Sequence, residues 1–576
     1  MRSIVWVLLA GVAAVGCKKE SAGGGAGGGA MGGTPIAAAS TDALWAFAPA
    51  NAKVGVVIAD GALAPLYSGA LVALAALDKA PGGAQFAGMI RQQAKTPIGD
   101  VLDRPTLDAL GIDLKKGAAF FESESVKVAV LPIADAKKFA GKLGAPFANG
   151  VVQIGPLTCK DLSGRLLCAD SQASLDAAGK SGAGALVASW PKEMRGHVEV
   201  YVAADRLGSD MPLAEPGGIR ASAVIEKGAV TARLHVVGKP SGPLEAARSS
   251  KSSLAGGVAD QQPTGLMVIN AAGLWKLAQA QSGEIPADPL PGGVTARDLI
   301  GAPSGEAIGY ALPGLPLRGM AKVGLANPEP VKKLVAACDQ FAAMAPPGLT
   351  IKKSGDKCSI SIDPKAFGAA QPGMESISFD AWVDGNALAI GLGQYTAKST
   401  ARPGLAPFAR EILDGGWLFA AWGHGTMAGA PLVGDPAQIE AALRGEPIAG
   451  LAVWGIYHLS EFGIAGRVSD DGIHGLLRLR TLWANPDDVV AAVEEKVNAL
   501  AGGDTKAAAA LGDLARKYPG SPYAADVAAG AGGLMAPVAL VGVVAAISIP
   551  AFMKYRSRSQ EIENLDSLPT PMPEPQ

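Results

Sequence analysis

Hydrophobic and polar positions alternate in short bursts along most of this chain, and those bursts predict strands. Val54 to Ala59, Val126 to Leu131, Val151 to Ile154 and Val198 to Ala203 are short, rich in β-branched residues and bounded by turn formers, the signature of a strand with one buried face. Ala221 to Ile225 and Val230 to Val237 flank Glu226-Lys227-Gly228 and read as a hairpin. The two-residue period assigns faces within these strands. His197, Glu199 and Tyr201 fall on one side, with Val198, Val200 and Val202 on the other; Thr231, Arg233 and His235 likewise oppose Val230, Ala232, Leu234 and Val236. Each polar set is expected to face solvent, as is His474, which alternates with Arg478 and Arg480. Amphipathic runs separate the strands, so residues 41–250 predict a mixed strand and helix domain of the α+β class.

A second region, 262–486, shows the same alternation. Gly55-Val-Val-Ile-Ala-Asp60 followed by an amphipathic run lines up with Gly265-Leu-Met-Val-Ile-Asn270 followed by another, and Ala136-Lys-Lys-Phe139 lines up with Val331-Lys-Lys-Leu334. The expectation is two similar α+β domains; internal duplication is one source of the likeness and independent strand-to-helix units are the other. Asn327-Pro328-Glu329 and Asn485-Pro486-Asp487 each place a capping side chain, a helix-compatible proline and an acid where a helix starts. From 487 to 529 the pattern is helical and Ala-rich, and Lys517-Tyr-Pro-Gly-Ser-Pro-Tyr-Ala524 resembles the second half of a tetratricopeptide repeat. One fragment cannot stack as an array, so the segment is read as a helical connector.

Two apolar runs stand outside this pattern. Ile4 to Val15 follows the basic start Met1-Arg2, is too short to span a bilayer and ends at Gly16-Cys17, which makes 1–17 an export signal. Ala14-Val15-Gly16-Cys17 resembles the bacterial lipoprotein signal, and the resemblance implies that Cys17 carries lipid as the first residue of the mature chain. Residues 18–40 are Gly-rich, with few large apolar side chains, and read as a flexible tether. The second run, Leu534 to Met553, has no charged residue and is long enough to cross a hydrocarbon core as a helix. Lys554, Arg556 and Arg558 follow it and predict a cytoplasmic C-terminus. Its Ala and Gly content, with Pro537 and Pro550, leaves a buried or interfacial helix as the alternative.

The same stretch, Gly542-Val-Val-Ala-Ala-Ile-Ser-Ile-Pro-Ala-Phe-Met-Lys-Tyr-Arg-Ser-Arg-Ser559, resembles the membrane-embedded N-terminal helix of type IV pilins, which implies a membrane helix kinked at Pro550. Here the motif closes the chain and Gly533 stands at the position of the family's glutamate, so ordinary pilin processing is not implied. The tail, 554–576, is polar and proline-rich and is expected to be disordered.

Composition narrows the partners more than the function. The 576 residues leave room for several cores, and 49% hydrophobic content can fill them. A net charge of −2 supplies no basic footprint, so nucleic acid is not an expected partner. With Cys17 taken by lipid, the other four of the five cysteines form two local pairs. Cys159 and Cys168 bracket two short strands around Ser163-Gly164; Cys338 lies on the amphipathic stretch Val331 to Phe341, and Cys358 opens the strand-like run to Ile362. Local disulfides, as an oxidising compartment allows, and free buried thiols are the two readings.

No motif in the sequence points to a reaction. None of the five histidines is spaced with another His or Cys as a zinc ligand set, and no Cys-x-x-Cys occurs, so no metal or other cofactor is expected. Ser174-Leu-Asp-Ala-Ala-Gly-Lys180-Ser181 ends like a phosphate loop but has serine where the first glycine must let backbone amides wrap phosphate. Ser354-Gly-Asp-Lys357 fits Ser-x-x-Lys, yet it leads into a strand and not into a helix that would align the pair. The expectation is a non-catalytic cell-envelope lipoprotein with its body facing the periplasm, anchored at Cys17 and by the C-terminal helix. Its membrane is the inner one if that helix spans and the outer one otherwise, and its partners are the membrane and envelope proteins bound or scaffolded by the body. An accessory contacting pilin-like or secretion-system helices is the second reading, and a hydrolase with dispersed catalytic groups the third.

Overall fold

The computed structural model describes residues 41–530, apart from 97–98, 125, 179–186, 188, 208–212, 282–288, 314–317, 344, 346, 364–376, 394, 396–405 and 429–435. Cys17, the tether, the apolar run 534–553 and the basic Lys554, Arg556 and Arg558 lie outside the described residues.

Ten strands come from the first region: β1 (Val54–Ile58), β2 (Ala118–Glu122), β3 (Lys127–Leu131), β4 (Phe147–Ala148), β5 (Val151–Ile154), β6 (Leu157–Asp161), β7 (Leu166–Ala169), β8 (Val198–Val202), β9 (Leu213–Glu226) and β10 (Ala229–Pro240). Ten more come from the second: β11 (Gly265–Asn270), β12 (Pro303–Leu312), β13 (Arg318–Leu325), β14 (Leu349–Ser354), β15 (Lys357–Ile362), β16 (Ile377–Asp384), β17 (Ala387–Leu392), β18 (Phe419–His424), β19 (Leu459–Ser469) and β20 (Gly472–Thr481). All twenty join one antiparallel sheet. Across it the order is β4-β5-β6-β7-β3-β2-β1-β8-β9-β10, then β20-β19-β18-β11-β12-β13-β17-β16-β15-β14.

This corrects the expected pair of separate α+β domains. β10 and β20 end the two regions, and in separate domains each would leave a bare edge of unpaired backbone groups. Instead Ala229 to Val237 pair with Arg480 to Gly472 and fuse the regions into one sheet. The expected C-terminal membrane helix falls on residues outside the described ones; among the described residues no helix is long and apolar enough to cross a membrane.

The pairings also correct the proposed alignment of the two regions. The turns after β9 and β19 are both two residues long, closed by Glu226 with Ala229 and Ser469 with Gly472. Counting outward from them through the register places Val54, not Gly55, level with Gly265. A one-residue slip reverses every side chain. Gly55 therefore matches Leu266, and the cores show why: a Cβ on Gly55 would sit 2.6 Å from the buried Trp45 ring, whereas Leu266 is itself buried. One half fills that space with a tryptophan from outside the sheet, the other with a leucine from the strand.

Helical segments cover the sheet. On one face Leu44 and Trp45 with Val187 and Trp190 pack on the first half, and α6 (Pro407–Asp414) packs on the second through Phe408 and Ile412. On the opposite face α1 (Leu63–Lys79) packs Leu63 and Leu66 against Val198, Ala223 and Val230. A third cluster joins α7 (Pro447–His458), α8 (Asp487–Ala501), α9 (Ala507–Lys517) and α10 (Pro522–Ala529) where β20 ends. Asn485 does not cap α8 as its sequence suggests. It is fully buried, and its Oδ1 accepts from Tyr523 N at 2.7 Å while its Nδ2 donates to Leu482 O at 2.9 Å, which ties α10 to the sheet.

Both local cysteine pairs are disulfides. Cys159 and Cys168 face each other across β6 and β7, and Cys338 joins a short helix to Cys358 of β15. They secure the outer parts of the two halves, far along the strand order from the β10·β20 seam.

Candidate functional site

The seam gathers the chain's unusual chemistry. One cross-strand row reads Tyr201, Arg220, His235, His474, Arg467 on β8, β9, β10, β20 and β19. Residues directly opposite share a face, so two histidines from different halves meet. Their rings stack at 4.1 Å between centroids and 18° between planes.

Asp471, from the turn between β19 and β20, closes the group. Its Oδ1 lies 3.0 Å from His474 Nε2, its Oδ2 3.5 Å from His235 Nε2, and its carbonyl 3.2 Å from the same nitrogen. Ser469 Oγ donates to Oδ1 at 2.6 Å. Burial alone would push the Asp471 carboxyl up, but the hydrogen bonds from Ser469 and His474 and the nearby imidazoles hold it down at about 2. Burial is the main cause that lowers His235, reinforced by His474, against the pull of Asp471. His235 thus favours the neutral imidazole beside an ionised carboxylate.

Beside this row the same face carries a charge network. Arg478 Nη1 donates to Glu226 Oε2 at 2.6 Å and to Thr231 Oγ1 at 2.7 Å. Arg480 reaches Asp526 of α10 at 2.7 Å and Glu461 at 3.4 Å, and Trp422 Nε1 donates to Glu461 at 2.9 Å. Burial opposes the Arg480 charge, but Asp526 and Glu461 outweigh it and keep the guanidinium protonated. Arg233 forks onto Glu411 of α6 at 2.6 and 3.1 Å, which links the halves again.

These positions overturn the expected solvent-facing ladders. His235 is 4% exposed, His197 is buried, and Glu199 is 0% exposed. Glu199 accepts from Thr41 Oγ1 and Trp45 Nε1, both at 2.7 Å, and from Arg195 Nε at 2.8 Å; His197 Nδ1 accepts from Ile225 N at 2.8 Å. His474 is half-buried. Alternation separates two faces correctly but does not say which is covered, and the covering donors come from more than 150 positions away in sequence.

The other face of the seam is inverted in the same sense. Over 230–236 of β10, 473–479 of β20, 462–468 of β19 and 419–423 of β18, every residue facing that way is apolar or glycine. Leu234 is 40%, Phe419 45% and Ile464 37% exposed. Leu234 and Phe419 lie in one row with Gly475 and Gly466 between them, and each leans over its glycine neighbour.

The other candidate residues resolve into structural roles. Ser354 and Lys357 pair across the β14–β15 turn, and Lys357 Nζ donates to Tyr395 Oη at 2.9 Å over the Trp382 ring. Ser174 Oγ donates to Asp170 at 2.7 Å, while Lys180 and Ser181 lie outside the described residues. His424 and His458 sit near carboxylates, Asp526 at 3.5 Å and Glu494 at 3.7 Å. A cleft of 410 Å³ beside Ser253, Glu306, Lys322 and Asp384 has paired charges, with Lys322 on Asp384 at 2.9 Å and Ser253 Oγ on Glu306 at 2.9 Å. Within the seam cluster, spacing in sequence gave no warning of the His235, Asp471 and His474 group, because His235 stands more than 230 positions from the other two and only the β10·β20 pairing brings it to them.

No family model, curated protein or solved structure matches this chain.

Proposed function

We propose that this chain is an exported, membrane-anchored envelope lipoprotein whose body binds another envelope protein through the apolar face of the seam. The exposed trio Leu234, Phe419 and Ile464 carries the reading. A contiguous exposed apolar patch is what an interaction site presents. The absence of any charge across its four strands selects the partner's chemistry: an uncharged apolar helix or sheet face, since a charged one would be desolvated without compensation. Membrane helices of the pilin-like class have that chemistry. Two disulfides fit an oxidising compartment and so support export, and the Ala14 to Cys17 signal supports a lipid anchor.

A photocrosslinker placed at Phe419 or Ile464 in cells tests the interface. The expected adduct joins either position to an uncharged apolar segment of another envelope protein and disappears with Leu234→Asp. Adducts only to lipid, or to residues 534–553 of the same chain, would overturn the partner, as would no adduct. Fatty-acid labelling tests the anchor separately: label should appear on the wild type and be absent from Cys17→Ser.

A further inference from the structure

We infer that His235, Asp471 and His474 form a binding site for one divalent d-block cation of the class that prefers imidazole and carboxylate ligands, represented by Zn²⁺. The inference does not rest on the proposed envelope function.

One ligand atom from each of the three residues lies within 4.8 Å of the other two. A tetrahedral zinc with nitrogen and oxygen ligands near 2.0–2.1 Å separates those atoms by about 3.3 Å. Side-chain rotations of about an ångström cover the difference, and Asp471, on an exposed turn, can supply them without disturbing the sheet. Three protein ligands and an open side toward solvent leave a coordination position for water.

The donor set, two imidazoles and a carboxylate, is the one such a cation prefers. Nε2 of the neutral His235 ring faces only acceptors, the Asp471 carbonyl and carboxylate, and carries the hydrogen in the metal-free protein; a cation at Nε2 displaces it to the buried Nδ1, which has no hydrogen-bond partner to oppose the change. Two positive groups flank the site in the same row, and each also packs on an aromatic ring. Arg220 lies 6.0 Å from the Trp190 ring centroid and Arg467 lies 5.3 Å from that of Trp417, with Arg467 Nη1 on Gly415 O at 3.3 Å. Asp470, next to the site, is held by Arg248 at 2.9 Å.

The site's ligands come from both halves of the sheet, so a bound cation would clasp the seam. Binding to the folded state alone raises stability with metal concentration.

The test uses the full chain in detergent, stripped with a chelator and titrated calorimetrically with Zn²⁺. One saturable zinc per chain is expected, with a melting temperature that rises as zinc is added. His474→Ala and Asp471→Asn alter half-buried or exposed side chains, so each should stay folded without zinc, and its response to zinc is read against its own metal-free melting temperature. Each should also weaken zinc binding at least about tenfold and abolish the zinc-dependent rise. Co²⁺ supplies a second readout: its visible absorption should report nitrogen and oxygen ligation in the wild type and lose that signature in His474→Ala. No saturable binding, or binding that both variants leave unchanged, would overturn the assignment.

Discussion

The two halves of the sheet share one strand order and close it with different chemistry. Before the first strand of each half a short segment must be pinned onto the sheet. In the first half, Glu199 on β8 does this from complete burial, taking hydrogen bonds from Thr41, Trp45 and Arg195. In the second half, half-buried Glu306 on β12 does it, accepting from Ser252 Oγ at 3.1 Å and from Ser253 N and Oγ at 3.1 and 2.9 Å. Position Val198 of β8 is buried under α1, while its counterpart Phe419 of β18 is 45% exposed. Backbone topology therefore leaves open which side chains hold a layer in place and which face stays uncovered.

The sharpest way to break this comparison is to remove both carboxylates in turn. Glu199→Ala leaves Arg195 with only Asp42 and Thr41 and orphans the buried Trp45 Nε1. It should cost about 3–5 kcal/mol, the range for breaking a buried pair. Glu306→Ala should cost about 1 kcal/mol, as for hydrogen bonds at a partly wet site. Thermal melting of the full chain reads both, and equal losses would mean the two segments are held by packing and not by their carboxylates.

Disulfide removal comes next. At the end of α3 (Ala136–Leu143), Leu143 packs in the same apolar cluster as Val152 of β5. The matching place in the second half is the Cys338–Cys358 bond. Replacing both cysteines by serine should lose about 3 kcal/mol, given the 20-residue separation. The loss should be confined to β14, β15 and β16 in hydrogen exchange. Protection that falls evenly across both halves would show the sheet to be a single cooperative unit.

Much of this was legible before the fold was known. β1, β3, β5, β8 and the β9–β10 hairpin follow from alternation, and the two disulfides are one of the two readings that the cysteine spacing allowed. What escaped is long-range. Fusion of the regions depends on β10 meeting β20, and neither strand's sequence says whether its edge is bare or paired. Burial of Glu199 depends on Trp45 and Thr41, and the His235, Asp471 and His474 group depends on a turn in the other half. A polar strand face reads as wet until its distant partners are known.

Two glycines of β19 then measure how differently the seam's faces are packed. A Cβ on Gly463 would run into the ring of Phe408, which α6 buries against the sheet, so Gly463→Ala should cost about 1–3 kcal/mol as overpacking. A Cβ on Gly466 would meet the ring of Phe419 at 2.5 Å, but that ring is exposed and can swing away. Gly466→Ala should change stability by less than about 0.5 kcal/mol. Equal costs would mean that the apolar face is covered in the folded protein.

The smallest effect probes the helical layer that serves both halves. Glu494 of α8 accepts from Trp483 Nε1 at 2.8 Å, just after β20, lies 3.7 Å from His458 Nε2, just before β19, and feels Lys79 of α1 from the first half. Burial pushes its carboxyl up, but His458 and Trp483 outweigh it and leave the group below its ordinary value. A carboxylate depressed by folding stabilises above the unfolded value, near pH 4.3, and that contribution fades as pH falls through the lower folded value. Glu494→Gln should therefore cost about 1 kcal/mol at pH 7, and the gap from wild type should close below about pH 4. A gap that stays constant from pH 7 to pH 3 would assign the effect to shape and hydrogen bonding. A closing gap would make the charge on Glu494 the element that joins the first half's α1 to the strands of the second.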